Sequence, residues 1–351
     1  MLYHDQRWLD HPGLVLGPGP SGRCDDHRVG GAVVDHDPSS GQWRVWYYCR
    51  DKAFVRAAPA TLGTGRVALA TSSDGIAWTR FEGPVEGGAV LAPSNLVGAF
   101  DEGHVGLTDL SRTDQGLVMW TFGGGSEVVS TGLPQLGDVP GLAMRCGMAI
   151  SQDGIHWRRL AGAGPGGSLF DILPDELYAA WPNAIPQADG ATLLQYSAPT
   201  RDMASYRTRI VRLGIDGSVA RLGEMVWLDG PFDHDTGGIV TRHVIPAPDE
   251  AGWLMAYTAL DRKHNRSIAL ARSDDGIAWR HDGAPVLLPG EPGSWDDLGV
   301  AANRLVVTRS HIHLYYYGFR SLTAPDAPRG IGLAIARRDS PRAFRRIGLG
   351  A

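Results

Sequence analysis

Lysine is almost missing. Lys52 and Lys263 are the only two in a chain with 33 basic residues, so arginine carries nearly all the positive charge. A GC-rich coding bias explains that replacement without any functional demand. With 38 acidic residues the net charge is −5, which gives no basic footprint for nucleic acid. No run approaches the roughly 20 apolar residues that a membrane span requires. Residues 1–8 lack the basic-then-apolar pattern of a secretory leader. Cysteine is also scarce: Cys24, Cys49 and Cys146 form an odd, scattered set without metal-ligand spacing, read as free thiols in a reducing compartment. The expectation is a cytoplasmic protein with a small-molecule partner and neither a nucleic-acid nor a membrane partner.

Glycine, by contrast, is abundant, with 47 residues in a composition that is 43% hydrophobic. Asp-Gly, Gly-Gly and Pro-Gly pairs recur, as they do where many short strands are joined by turns. One seven-residue phrase occurs three times: Ser72-Ser73-Asp74-Gly75-Ile76-Ala77-Trp78, Ser151-Gln152-Asp153-Gly154-Ile155-His156-Trp157 and Ser273-Asp274-Asp275-Gly276-Ile277-Ala278-Trp279. Each follows a short apolar run. Asp-Gly after a strand is hairpin chemistry, because glycine takes positive φ while Asp bonds its own backbone. The tryptophan then anchors the next strand. Repeated strand–turn–strand units with a buried aromatic build the outer edges of β-propeller blades. Asp74, Asp153 and Asp275 are therefore structural.

Spacing gives the blade number. Trp78 and Trp157 are 79 residues apart and Trp157 and Trp279 are 122 apart, room for two blades of about 60 residues in the second gap. A worn copy at Ile210-Val211-Arg212-Leu213-Gly214-Ile215-Asp216-Gly217 fills it. Another, Ala334-Ile335-Ala336-Arg337-Arg338-Asp339-Ser340-Pro341, carries Phe344 at the tryptophan offset. The expected fold is all-β, a five-bladed β-propeller in one domain spanning residues 1–351. Residues 1–23 would close the ring or wrap its face. Blades open near Asp26, Asp101, Trp181, Asp233 and Asp296.

In a propeller the first strand of each blade lines the central channel, so residues at equivalent offsets meet at one mouth. Here those offsets hold Asp25, Asp26, Asp101, Glu102, Asp233, Asp235, Asp296 and Asp297. His27, His104, His234 and His243 stand among them, with Arg28, Arg242, Asn303 and Arg304 close by. Carboxylates crowded into one cavity have their pKa values driven apart. That is the condition for glycosidic cleavage by one protonated acid and one carboxylate. The competing reading is that these aspartates cap turns ahead of strands. No motif demands a cofactor, although imidazoles and carboxylates at one mouth suit a divalent metal in the central channel. Trp181, Trp295, Tyr178, Phe100 and Phe232 lie at or beside the openings, where rings either stack on sugars or pack between blades. Trp181 stands where other blades show Asp.

With five blades, Asp-bearing inner strands and Ser-x-Asp-Gly-x-x-Trp hairpins, the chain resembles the furanosidase-type five-bladed propellers. These form the arabinanase, invertase and levansucrase superfamily, which includes glycoside hydrolase families 43, 32 and 130. The resemblance spans essentially the whole chain. It implies a base or nucleophile from the first blade, Asp26 or Asp25, and a tuning Asp from the second, Asp101. The acid, normally a third-blade Glu, finds no match in residues 178–185, so it falls to Glu176 in the preceding loop or to Asp235. The first-blade Asn-Asp-Pro signature is replaced by Asp25-Asp26-His27-Arg28. Catalytic candidates are thus Asp26, Asp101, Asp233 and Glu176. Substrate-binding candidates are Asp25, His27, Arg28, Glu102, His104, Trp181, Asn183, His234, Asp235, Arg242, His243, Asp296, Asn303 and Arg304.

The expected function is a glycoside hydrolase-like enzyme that acts on a small sugar or glycoconjugate at the channel mouth through carboxylate acid/base chemistry. Two alternatives stay open. One is a non-hydrolytic lyase, isomerase or cyclising enzyme of specialised metabolism using His and Asp; the other is a ligand-binding propeller without chemistry. A hydrolase needs two carboxyls facing each other at about 5 to 9.5 Å. The non-hydrolytic enzyme needs a His–Asp pair and an apolar pocket, and the binding module needs neither.

Overall fold

The computed structural model describes residues 11–53, 64–131, 137–319 and 329–348. Strands dominate it, and the described helix is limited to the 3-10 turns Glu86–Gly88 and Pro165–Gly167. Most strands fall into five largely antiparallel arrays, the third and fourth of them joined in one sheet by a parallel pair between Tyr206 and Gly238, and Val128–Ser130 and Asp138–Pro140 form a separate hairpin. Blade 1 comprises Arg28–Asp37, Gln42–Arg50, Arg66–Ser72 and Thr79–Arg80. Blade 2 comprises His104–Thr113, Gly116–Gly124, Arg145–Ser151 and Arg158–Leu160. Blade 3 runs through Ala180–Pro186, Thr192–Pro199, Tyr206–Leu213 and Val219–Glu224. Blade 4 runs through Gly238–Pro246, Trp253–Leu260, Arg266–Ser273 and Ala278–His281. Val226–Trp227 adds to its outermost strand in parallel. Blade 5 has Gly299–Val307, His311–Phe319 and Arg329–Arg337. Both Arg345–Arg346 and Leu14–Leu16 pair with its third strand, so chain segments near the two ends meet on one blade.

Each inner strand packs against the next, and that of blade 5 packs against that of blade 1, which closes the ring of a β-propeller. The core lies between blades. Trp46, Leu69, Leu107 and Met119 fill the interface of blades 1 and 2, and Ile185, Leu193, Met255 and Trp279 that of blades 3 and 4.

The repeated phrase forms the hairpin between the third and fourth strands. Asp74 Oδ1 accepts the Ile76 and Ala77 amides at 2.8 Å, and Asp153 and Asp275 repeat the arrangement. Gly75, Gly154 and Gly276 have φ of +74°, +78° and +77°, a region costly for L side chains. Each glycine carbonyl is then captured by the middle strand of the preceding blade. Tyr315 donates to Gly75 at 2.8 Å, Trp46 to Gly154 at 2.7 Å and Gln195 to Gly276 at 2.9 Å. The motif therefore sutures neighbouring blades as well as turning the chain. Trp78 and Trp279 are buried. Trp157 stays partly exposed, because its indole bonds back to its own turn at Gly154 and meets Trp46 edge-on at 6.2 Å.

Candidate functional site

The acid ahead of each inner strand is clamped from the side. Asp25 accepts Tyr47 Oη at 2.8 Å and Arg80 Nε at 2.6 Å. Asp296 accepts Tyr316 Oη at 3.0 Å and Arg346 Nε at 2.8 Å. Asp101 accepts Arg159 Nε at 2.7 Å. Glu176 accepts Tyr196 Oη at 2.9 Å and faces Arg209 at 3.2 Å. Asp235 accepts Tyr257 Oη at 3.1 Å and meets His281 Nε2 at 2.7 Å. Arg80, Arg159 and His281 each stand two residues after the hairpin tryptophan, and Arg346 two after Phe344. That recurrence was the available sequence signal, and reading the motif only as far as the tryptophan missed it.

The second acid of each opening holds its own loop. Asp26 accepts the Gly22 and Lys52 amides, both at 2.8 Å, Glu102 the Gly98 amide at 3.0 Å and Asp297 the Gly293 amide at 2.8 Å. Asp233 is exposed. Asp26, Asp101, Asp233 and Glu176 are all absent from the lining of the central cavity, so the expected convergence is not seen there. The physical reason is the cost of burying a carboxylate without a donor or cation. The outer strand and the local loop supply those partners.

What faces the channel is set by bulges. Every inner strand shifts register, between Gly30 and Val33, Leu107 and Asp109, Ala180 and Asn183, Ile239 and Arg242, and Ala302 and Arg304. A bulge re-aims side chains, and the bulged residues Gly31, Thr108, Trp181, Thr241 and Asn303 all line one cavity. Trp181 holds φ of +53°, a backbone state costing about 1 kcal/mol or more in a bulky residue. Its ring packs on Tyr178 at 5.4 Å and Phe122 at 5.9 Å.

Further along the inner strands a polar plug ties blades 1, 2, 3 and 5 together. Asp109 accepts Asn183 Nδ2 at 2.8 Å and the Ala184 amide at 2.9 Å, and pairs with Arg304, whose Nε donates to the Val34 carbonyl at 3.0 Å. His243 Nδ1 accepts the Leu305 amide at 3.0 Å. Burial, then Arg304, holds its pKa well below the ordinary value. The imidazole is therefore neutral, and its 3.8 Å approach to Asp109 is not an ion pair. This His–Asp contact lies outside the cavity lining.

The cavity encloses about 370 Å³. Arg28, Arg50, Arg266 and Arg329 line it with His104, Asn303 and the rings of Tyr48, Phe122, Tyr178, Trp181, Tyr206 and Tyr317. Phe319 lies beneath the guanidinium groups of Arg266 at 5.4 Å and Arg329 at 5.8 Å. No carboxylate lines it among the described residues. His104 Nε2 lies 2.9 Å from the Gly141 carbonyl, so it carries the proton, and Nδ1 keeps its lone pair without a partner among the described residues. Burial and the nearby Arg50 hold its pKa down at about 3.

Of the sequence candidates, Arg28, His104, Trp181 and Asn303 reach this cavity, and Asn183, His243 and Arg304 form the plug. Arg242 is buried and donates to Ser197 Oγ at 2.5 Å, its pKa lowered to about 9 by burial. His27 is half-buried beside the blade 1 opening. His234 joins Asp235 and His281 at the rim of blade 4, the one metal-capable triple found among the described residues. A gathering of histidines around a channel metal is thus not seen there. Arg266 and Arg329 escaped the sequence reading because they open third strands. Arg66 and Arg145 do the same in blades 1 and 2, so the position recurs and could have been read.

No protein-family profile and no curated sequence matches the chain. Solved structures do. A β-1,2-mannobiose phosphorylase from Listeria innocua is 13% identical, with 96% of each chain covered and a TM-score of 0.64. A structure from work on GH130 mannoside phosphorylases and glycoside hydrolases that target β-1,2 mannosidic linkages is 17% identical, covers 99% of this chain and 96% of its own, and has a TM-score of 0.64. A glycosyl hydrolase from Bacteroides ovatus is 16% identical over 96% and 97% of the two chains, with a TM-score of 0.63. At such identities the likeness establishes architecture: the chain has the β-propeller fold shared by these glycosidases and phosphorylases.

Proposed function

We propose that the protein is a sugar-active enzyme whose substrate carries a negative charge. The cavity lining carries this reading: four arginines, a neutral histidine, six aromatic rings and, among the described residues, no carboxylate. Guanidinium groups take carboxylate or phosphate oxygens bidentately, and ring faces take the apolar side of a sugar. The sugar class leans on the fold neighbours, one of them named as a β-1,2-mannobiose complex. The preference for a charged substrate is inferred from the arginines of this chain.

Hydrolysis by two opposed carboxyls does not fit this lining. The residues present offer proton transfer beside an acidic group, as in elimination or isomerisation. An arginine that neutralises a substrate carboxylate stabilises the charge developing when the neighbouring C–H is lost. His104 is the assigned base, with its lone pair on Nδ1. A bound anion raises its pKa from about 3 toward the range where general bases work.

The test is a calorimetric screen of matched pairs, such as a hexose against its uronic acid and its 6-phosphate, with ultraviolet monitoring of uronide mixtures for an unsaturated product. The acidic members should bind, the neutral ones should not, and added salt should weaken binding. Equal affinity for neutral members, or hydrolysis of a neutral aryl glycoside that Asp26→Asn abolishes, would overturn the reading.

A further inference from the structure

Blade 4 departs from the clamp that the other blades use. Where Arg80, Arg159 and Arg346 meet the acid ahead of their inner strands, blade 4 presents His281 to Asp235. A second histidine, His234, precedes that aspartate in the chain. Ligand atoms of His234, Asp235 and His281 all lie within 4.8 Å of one another. The carboxylate of Asp235 and the imidazole of His281 are fully buried, and His234 is partly exposed.

We propose that His234, Asp235 and His281 form a binding site for a divalent transition ion of the zinc class, away from the central cavity. This inference is independent of the reaction proposed above. Two imidazoles and one carboxylate suit zinc and its neighbours, whereas calcium and magnesium select all-oxygen sets.

The surroundings match those of a metal ligand. His281 Nδ1 lies 2.8 Å from Asp229 Oδ1, the carboxylate–histidine relay that fixes a tautomer and aims Nε2 at an ion. Asp235 is oriented by Tyr257, whose hydroxyl donates to Oδ2. Trp227 stacks on the His281 ring at 3.8 Å and Phe232 covers it at 4.2 Å, a wall that excludes water from the buried side. Trp227 belongs to the additional strand that pairs with Ala278–His281, so the extra strand and the histidine substitution occur in the same blade. Closing donor distances to the roughly 2.0–2.2 Å of zinc bonds requires the partly exposed His234 ring to swing inward. The bound ion takes the place of the proton between His281 Nε2 and Asp235, and the solvent side at His234 leaves a coordination position for water.

The experiment is titration of chelator-stripped full-length protein with zinc by calorimetry and with cobalt(II) by visible absorption. The wild type should bind one equivalent with a tetrahedral or five-coordinate cobalt spectrum and a raised melting temperature. His281→Arg restores the clamp of the other blades, so it should keep the fold and lose that equivalent. His234→Ala should weaken the affinity at least 100-fold. Absence of saturable binding by the wild type would overturn the proposal. So would an equivalent and a spectrum that persist unchanged in the folded His281→Arg protein.

Discussion

Replacing Arg159 by Gln tests whether the repeated acids hold blades together. Asp101 is 2% exposed, and its carboxylate would lose the Nε bond at 2.7 Å; Arg159 Nη2 would also lose the Ala92 carbonyl. Breaking a buried pair by removing one partner costs about 3 to 5 kcal/mol. Arg159 is 34% exposed, so water can partly replace it, and the low end, about 3 kcal/mol, is expected near pH 7. Arg80 is only 10% exposed against a fully buried Asp25, but Asp25 keeps Arg23 at 3.3 Å, so Arg80→Gln should also stay at about 3 kcal/mol.

The pH dependence adds a sharper check. Burial holds the Asp101 pKa above the ordinary carboxylate value despite the opposing pull of Arg159. A folded pKa above the unfolded one favours folding below the unfolded value, and the advantage is lost as pH rises through the folded pKa. Removing Arg159 raises the folded pKa further. The difference between variant and wild type should therefore shrink toward about 1 kcal/mol, the worth of the remaining neutral hydrogen bonds, as pH falls to about 4. Urea unfolding at both pH values measures this. A loss under about 1 kcal/mol at neutral pH, or one that does not change with pH, would refute the argument.

Other substitutions probe the remaining levels. Trp279→Ala, at a fully buried ring, should cost about 3 to 5 kcal/mol in chemical denaturation, and Trp157→Ala, at a partly exposed one, clearly less. Asp109→Ala should cost about 3 to 5 kcal/mol, because it leaves Arg304 in the polar plug without its carboxylate; Asp109→Asn should retain the Ala184 bond and cost less. Arg266→Gln should weaken acidic ligands about tenfold or more and flatten the salt dependence of binding in calorimetry. His104→Ala should lower turnover by about 10²- to 10⁴-fold while leaving acidic ligands bound, a split between kcat and KM that a packing defect would not produce.

The architecture was legible because its causes are local. Ser-x-Asp-Gly turns, the tryptophan anchors and their spacing are readable within seven residues, and even the worn hairpin at Asp216-Gly217 keeps its left-handed glycine, at +80°. The direction of the opening acids was not legible in the same way. Offset within a repeat says which residues are equivalent, but not whether they turn toward the axis or the rim. The cations that settle it lie 55, 58 and 50 residues downstream of Asp25, Asp101 and Asp296. Arg266 and Arg329 were hidden for a related reason: the third-strand starts reach the mouth only after the chain has crossed it twice.

Repetition itself separates scaffold from site. A residue that recurs in every blade meets a demand that every blade shares, as the acid, the middle-strand tyrosine and the cation two places after the anchor do in most of them. A ligand is asymmetric on the scale of the ring, so the groups that read it must differ from blade to blade. At the bulges they do: Gly31, Thr108, Trp181, Thr241 and Asn303 occupy equivalent places with unlike chemistry. Only Trp181 accepts a left-handed backbone without being glycine there, and strain kept at one copy of a repeated position is tolerated for something the repeat does not require. The same reasoning singles out His281, where the clamp alone changes its cation. Function is to be sought where the five blades disagree.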